Sequence, residues 1–441
     1  MAVLVVGTAA IASAALEGET DVTDRYESGD VTVPPRENIT VVTTSPRTST
    51  DASIVAFGPN GEVLYYEERY KRYFDVDPVS GTRATVEYLA EDDEADCDAG
   101  HCAAVRLVRL NVTTGERRVS HTFMPQGRND WHDLDRIGPH RLLVADITTD
   151  RLFVLNTTTG VVTWGYEFEF AFDRDSGGVY PSDWTHVNDV ERLDDGTVMA
   201  SLRNQDQVVF VDPEKGLIAN MTLGRDGAHD VLHAQHNPDY IPRQRGGPAV
   251  LVADSHNNRI VEYTRTGNGS WRPTWVWRTA SLQWPRDADR LPNGHTLITD
   301  SNGNRVLEVD ESGAVVWSVP IDTPYEAERL GTGDESTGGK AANALELANR
   351  TGASTGGGGG SDGEERSRLA AAGRGIVSGI KGILPGLLVN AVLFAAPGWF
   401  TVLELEIALG MVATALAWAG LEYRWSGYRL SPSIQVLETE D

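Results

Sequence analysis

Between residues 40 and 322 the chain sets short runs rich in Val, Ile and Leu between polar turns of the Asp-Gly and Asn-Gly kind, and no stretch keeps a 3.6-residue apolar period. That pattern predicts an all-β region of hairpins. Four hairpins align with one another: residues 145–155, 201–212, 253–263 and 299–310. Each follows another short run, such as 189–193 or 289–294, and a Gly turn with a Trp-bearing run often comes next, as at 313–317. Repeats about 45 to 55 residues apart with four short strands each have the period of propeller blades. Two less regular repeats over residues 40–120 bring the expectation to a six-bladed β-propeller. Radial packing then points the innermost strands, and the loops before them, at a central channel.

The ends follow other patterns. Residues 1–16 carry no charge and are dominated by Ala, Val, Ile and Leu. They predict a signal peptide or signal anchor over 1–20, although the usual basic n-region is missing. Residues 383–403 and 405–421 are apolar runs, with Pro397, Gly398, Glu404 and Glu406 around their junction, and predict a transmembrane helical hairpin over 383–421. The propeller is expected over 35–325, a Gly- and Ser-rich flexible linker over 331–375 with five consecutive glycines at 356–360, and a polar tail over 422–441. Arg366, Arg368, Arg374 and Lys381 precede the expected hairpin and Arg424 and Arg429 follow it, which pulls those flanks toward the cytoplasm. The N-terminal segment and six Asn-x-Ser/Thr sequons, at Asn38, Asn111, Asn156, Asn220, Asn268 and Asn349, pull the other way. The expectation is a cell-membrane protein with its propeller on the extracellular side.

Charge narrows the partners. The formal net charge is −26, from 38 Lys and Arg against 64 Asp and Glu, and the acids are spread along all 441 residues. A phosphate backbone is repelled by such a field, so nucleic acid is excluded as a partner and the lipid membrane is kept. Dispersed acidity also suits a halophilic protein, because concentrated salt screens the self-repulsion. The two cysteines, Cys97 and Cys102, enclose Asp-Ala-Gly-His. They are open to three readings: a small loop-closing disulfide, two unpaired thiols, or a metal site with His101.

Candidate chemistry comes from histidines placed just before the first strands of successive repeats: Trp131-His132-Asp133, Trp184-Thr185-His186-Val187-Asn188 and His233-Ala234-Gln235-His236-Asn237, with Trp284-Pro285-Arg286-Asp287 in the next. Equivalent blade positions share one radius and depth, so His132, His186 and His236 are expected to face each other across the channel mouth, with Arg203 beside them. Imidazoles with a guanidinium make a receptor for a tetrahedral oxyanion, since Arg offers a planar fork of donors and His can donate, accept or attack. A lone propeller histidine is more often a structural hydrogen-bonding residue, and His101, His121, His140, His256 and His295 are read so. His229 and His233 are open to either reading, as structural residues or as partners that support His236.

At Asp183-Trp184-Thr185-His186-Val187-Asn188, Ser201-Leu202-Arg203 and Gln235-His236 the sequence resembles the PAPS-independent arylsulfotransferases, over residues 125–320. The resemblance implies sulfuryl transfer from an aryl sulfate to a phenolic acceptor on a six-bladed propeller, through a sulfohistidine and with no cofactor. By motif His236 resembles the nucleophile, His186 and Arg203 the pair on the preceding blade, and His132 the upstream histidine. The competing expectation is a non-catalytic, membrane-anchored propeller that binds a ligand or protein at its channel mouth. A quinoprotein-like or lactonase-like enzyme needs a cofactor or metal cage that these motifs do not assemble.

Overall fold

The computed structural model describes residues 2–18, 38–46, 51–94, 102–124, 130–351, 386–397 and 399–426. They fall into two compact units, one helical (Met1–Glu19 with Trp399–Asp441) and one containing the β structure (Thr20–Gly398). Cys97, half of the possible disulfide, lies outside the described residues, and Cys102 opens the strand Cys102–Asn111.

The β unit is a six-bladed propeller: six antiparallel sheets, five of four strands and one of five. Blades 1 to 5 are formed in chain order, and their innermost strands are Arg72–Pro78, Trp131–Gly138, Val187–Arg192, His236–Ile241 and Pro285–Arg290. Blade 6 closes the ring, because its innermost strand, Pro324–Arg329, pairs with the N-terminal strand Thr40–Thr44. Sheets stacked face to face bury both sides of their inner strands. The runs are therefore continuous, as in Gln207–Asp212, where five of six residues are buried, while outer strands such as Val161–Glu167 are largely exposed. Tight turns join the strands; Gly196 (φ 87°) and Gly294 (φ 90°) hold left-handed turn positions that a side chain would strain.

An innermost strand has one edge with no neighbouring strand, so its N–H groups need other partners. Carboxylates of the preceding blade supply them. Asp133 accepts from the Val190 N–H at 2.6 Å, Asp135 from Arg192 at 2.8 Å, Glu191 from Tyr240 at 2.9 Å and Asp287 from Ala327 at 3.0 Å. This explains a recurrence in the sequence: Asp75-Val-Asp77, Asp133-Leu-Asp135, Asp189-Val-Glu191, Asp287-Ala-Asp289 and Glu326-Ala-Glu328, with Asp239 on blade 4. Every blade contributes an acid at one level of the channel.

Residues 331–351 do not behave as the start of a linker. Asp334 and Glu335 line a cavity of about 610 Å³ at the end of the channel away from the strand starts, together with Asp77, Asp135, Glu191 and Arg245. Ser336 donates to Asp239 and accepts from the Arg290 N–H at 2.7 Å, and the Ala342 N–H donates to buried Glu262 at 2.8 Å. This stretch plugs the acidic end. Residues 352–385 lie outside the described residues.

The expected hairpin is also revised. Of its first apolar run the structure gives α2, Gly386–Ala395, ten residues long. At 1.5 Å per residue it covers about half a bilayer. Its Val389, Asn390 and Leu393 are buried against the propeller, and the Asn390 amide donates to Asn258 at 3.3 Å. The second helix, α3 (Val402–Ser426), is long and apolar enough to cross a membrane. Its packing partner is the N-terminal helix α1 (Ala2–Gly18), where Gly7 lies against Met411 and Ile407 so closely that an added Cβ would stand 2.6 Å from the Met411 sulfur.

Candidate active site at the channel mouth

All six innermost strands carry a register shift near their start. On four of them a single residue stands without a partner opposite it: His132 between Trp131 and Asp133, Asn188 between Val187 and Asp189, Arg286 between Pro285 and Asp287, and Tyr325 between Pro324 and Glu326. A bulge of this kind breaks alternation and re-aims a side chain. In blade 4 the shift follows His236, between it and Asp239.

His132, His236 and Arg286 meet around Tyr325. Its ring centroid lies 5.5 Å from that of His132 and 6.5 Å from that of His236, and the Arg286 guanidinium sits over it at 5.1 Å. His132 in turn is 5.7 Å from His186. The structure thus brings His132, His186 and His236 to one mouth. Arg203 joins them, since its charge, like that of Arg286, acts on His236.

The histidines are not at equivalent positions, however. Val187 pairs with Leu202 as Trp131 pairs with Asp146, so His132 matches Asn188, while His186 lies two residues earlier. His186 has a left-handed backbone (φ 48°), as do Trp284 (φ 49°) and Thr323 (φ 43°), each the residue before its strand. Such a backbone costs about 1 kcal/mol or more outside glycine and is held by its surroundings. Here the Thr185 N–H donates to Asp150 at 2.8 Å, and the Arg203 and Asn204 N–H groups donate to the His186 and Thr185 carbonyls at 3.2 and 3.0 Å. The Arg203 guanidinium donates to Asn204 Oδ1 at 2.8 Å, which fixes it beside His186.

Two of the imidazoles are oriented by carboxylates: His132 Nδ1 is 2.9 Å from Asp130 and His186 Nδ1 is 2.6 Å from Asp183. The hydrogen bond from His186 holds the Asp183 carboxyl below its ordinary value. Burial nonetheless pushes His186 down to about 4, against the pull of Asp183, and the charge of Arg203 adds to the push.

His236 is only 3% exposed. Its Nδ1 lies 2.8 Å from Ser255 Oγ, and the Ser255 hydroxyl donates to the Ala253 carbonyl at 3.3 Å. In the tautomer with the proton on Nδ1, the serine oxygen accepts it and Nε2 keeps its lone pair. Burial, reinforced by Arg286 and Arg203, drives the imidazole well below its usual range and keeps it neutral. The preceding Gln235 anchors the loop, its amide donating to the Gln207 carbonyl at 2.8 Å.

His256 is not an isolated structural histidine. It stands 4.7 Å from His233, which stacks on His229 at 3.9 Å, and meets Trp284 edge-on at 5.2 Å. Among the described residues no group of three or more His, Cys, Asp or Glu is arranged to hold a metal ion. Tyr325 is a site residue outside the motifs, and Arg286 stands in the fourth motif without an assigned role. The signal that marks them is position: each directly precedes a channel acid, as His132 does.

Charge is divided along the channel. The mouth holds Arg203, Arg286 and the imidazoles with their orienting carboxylates Asp130 and Asp183, and the carboxylate ring lies below. An anion is drawn to the first and repelled by the second.

No protein-family model and no curated protein matches the chain. Solved structures align at low identity. A protein of unknown function from Bacteroides caccae is 14% identical with a TM-score of 0.47, over 67% of this chain and 100% of the other. The periplasmic gluconolactonase of Pseudomonas aeruginosa is 14% identical with a TM-score of 0.44, over 68% and 88%. An inactive virginiamycin B lyase from Staphylococcus aureus, crystallised with quinupristin, is 10% identical with a TM-score of 0.38, over 66% and 88%.

Proposed function

We propose that the propeller transfers a sulfuryl group from an aryl sulfate to a phenolic acceptor through a sulfohistidine at His236. The observation that carries this reading is a neutral, buried imidazole whose Nδ1 is tied to Ser255, at a mouth that also holds Arg203 and Arg286. A neutral imidazole is a competent nucleophile near pH 7, and two guanidinium groups suit a transferring group that carries negative charge throughout.

In the first step the Nε2 lone pair forms the N–S bond as the bond from sulfur to the aryl oxygen breaks. Anion binding raises the proton affinity of the facing His186, which takes up a proton on Nε2 while Asp183 holds the other nitrogen; His132, held by Asp130, stands beside it. That proton passes to the leaving phenolate. In the second step the acceptor hydroxyl returns a proton to the same imidazole, its oxygen bonds to sulfur, and the N–S bond breaks. Tyr325 carries the Arg286 guanidinium over its ring and so positions it.

We read α3 as a membrane anchor from its length and apolar composition, and infer that the propeller works on the extracellular side. The test is the full chain in high salt with p-nitrophenyl sulfate. Nitrophenol release that requires an added phenol supports transfer. Release that ignores the phenol points to hydrolysis, and no release from several aryl sulfates favours a propeller that only binds.

A further inference from the structure

The helix docked at the mouth has no role in the chemistry above, and its composition does not suit an aqueous site. One side of α2 is spent on the propeller: Val389 and Leu393 are buried, and Asn390 reaches the strand-connecting turns of blades 4 and 5, donating to Asn258 and accepting from Asn302 at 3.3 Å. The other side leaves Leu388, Val392 and Phe394 exposed, at 48%, 38% and 39%. Phe394, at one edge of this exposed face, adjoins the site through a run of rings. Phe394 lies 5.9 Å from Trp284, over which Arg286 stands at 5.8 Å, and Arg286 in turn covers Tyr325. An apolar ridge therefore leads to an anion receptor. Six residues, 396–401, then join α2 to α3, the helix fit to span a bilayer.

We propose that the mouth takes an amphiphile bearing a sulfate ester from a lipid surface, with its head at Arg203, Arg286 and His236 and its alkyl tail along Leu388, Val392 and Phe394. The head-group chemistry rests on the sulfuryl-transfer reading; the tail site rests on α2 alone. A purely water-soluble substrate gains nothing from such a ridge, whereas an amphiphile gains on both counts.

The experiment measures binding of alkyl sulfates from methyl to decyl to the full chain in nanodiscs, with partition into empty discs subtracted. Each methylene that reaches the ridge tightens binding by about two- to fourfold. The dissociation constant is expected to fall steadily with chain length. The double variant Leu388→Ser, Val392→Ser, which alters two exposed side chains, flattens that dependence. A dissociation constant indifferent to chain length in the unaltered protein, or an unchanged slope in the variant, overturns the proposal. Chain-length dependence in a protein that turns over no aryl sulfate defeats the transfer reading and leaves this one standing, while transfer without the dependence does the reverse.

Discussion

Replacing His236 by alanine lowers acceptor-dependent turnover of an aryl sulfate by about a thousandfold or more, because it removes the atom that bonds to sulfur in both half-reactions. The fold survives the change. Ser255 still donates to the Ala253 carbonyl, and Gln235 still anchors the loop to blade 3. Steady-state kinetics with a donor and acceptor series, alongside a melting curve, check both halves of the expectation. A variant that melts normally and keeps its turnover places the nucleophile elsewhere, and His186 is next in line by geometry.

The second large effect concerns the carboxylates of the channel. Burial pushes Asp133 up to about 7, Glu191 to about 8 and Asp287 to about 7, with Asp135 adding repulsion at the first two. Asp75, Asp189, Asp239 and Glu326 are raised by burial as well. An acid whose folded value exceeds its unfolded one holds its proton longer when folded. Its contribution is therefore full below the unfolded value and is lost as pH rises through the folded value. Stability should fall as pH rises from about 5 to about 8, by about 1–3 kcal/mol per such group after allowance for water at the cavity. High salt narrows the difference by screening.

Asp133 separates this charge effect from the structural one. Asp133→Asn keeps an oxygen for the Val190 N–H and removes the charge, so it raises the melting temperature at pH about 8 and matters little at pH about 5. Asp133→Ala strands that N–H and lowers stability by about 1–3 kcal/mol at pH about 5, a loss that removal of the same charge offsets at pH about 8. Denaturation of both variants at the two pH values is the check, and an Asn variant less stable than the parent at the higher pH contradicts it.

Much of this arrangement is legible in the sequence, for physical reasons that differ by element. The blade hairpins announce themselves because strands buried on both faces need continuous apolar runs, and tight turns need residues such as Gly196 and Gly294. The channel acids are equally visible as a recurring Asp-x-Asp or Glu-x-Glu. Their meaning is not, since it depends on which N–H of the next blade each one meets.

The histidine motifs point to one mouth, but motif spacing alone sets His186 level with His132 and His236. Bulges and a left-handed residue change the count between motif and channel, and neither leaves a mark in composition. Tyr325 is hidden for the same reason: nothing about Thr323-Pro324-Tyr325 looks like His or Arg chemistry until the last blade closes the ring. The apolar run at 383–403 reads as a membrane span by hydropathy. Its mid-helix Asn390, which bonds to two propeller loops, is the residue that gives away the docking of α2.

The most direct measurement of the central claim is the intact mass of the protein, quenched after mixing with p-nitrophenyl sulfate and no acceptor, followed by peptide mapping. The account predicts one added sulfuryl group on the peptide that carries His236, lost when a phenol is added and never formed in His236→Ala. A donor consumed with no mass gained, or a sulfuryl group on another histidine, would contradict it.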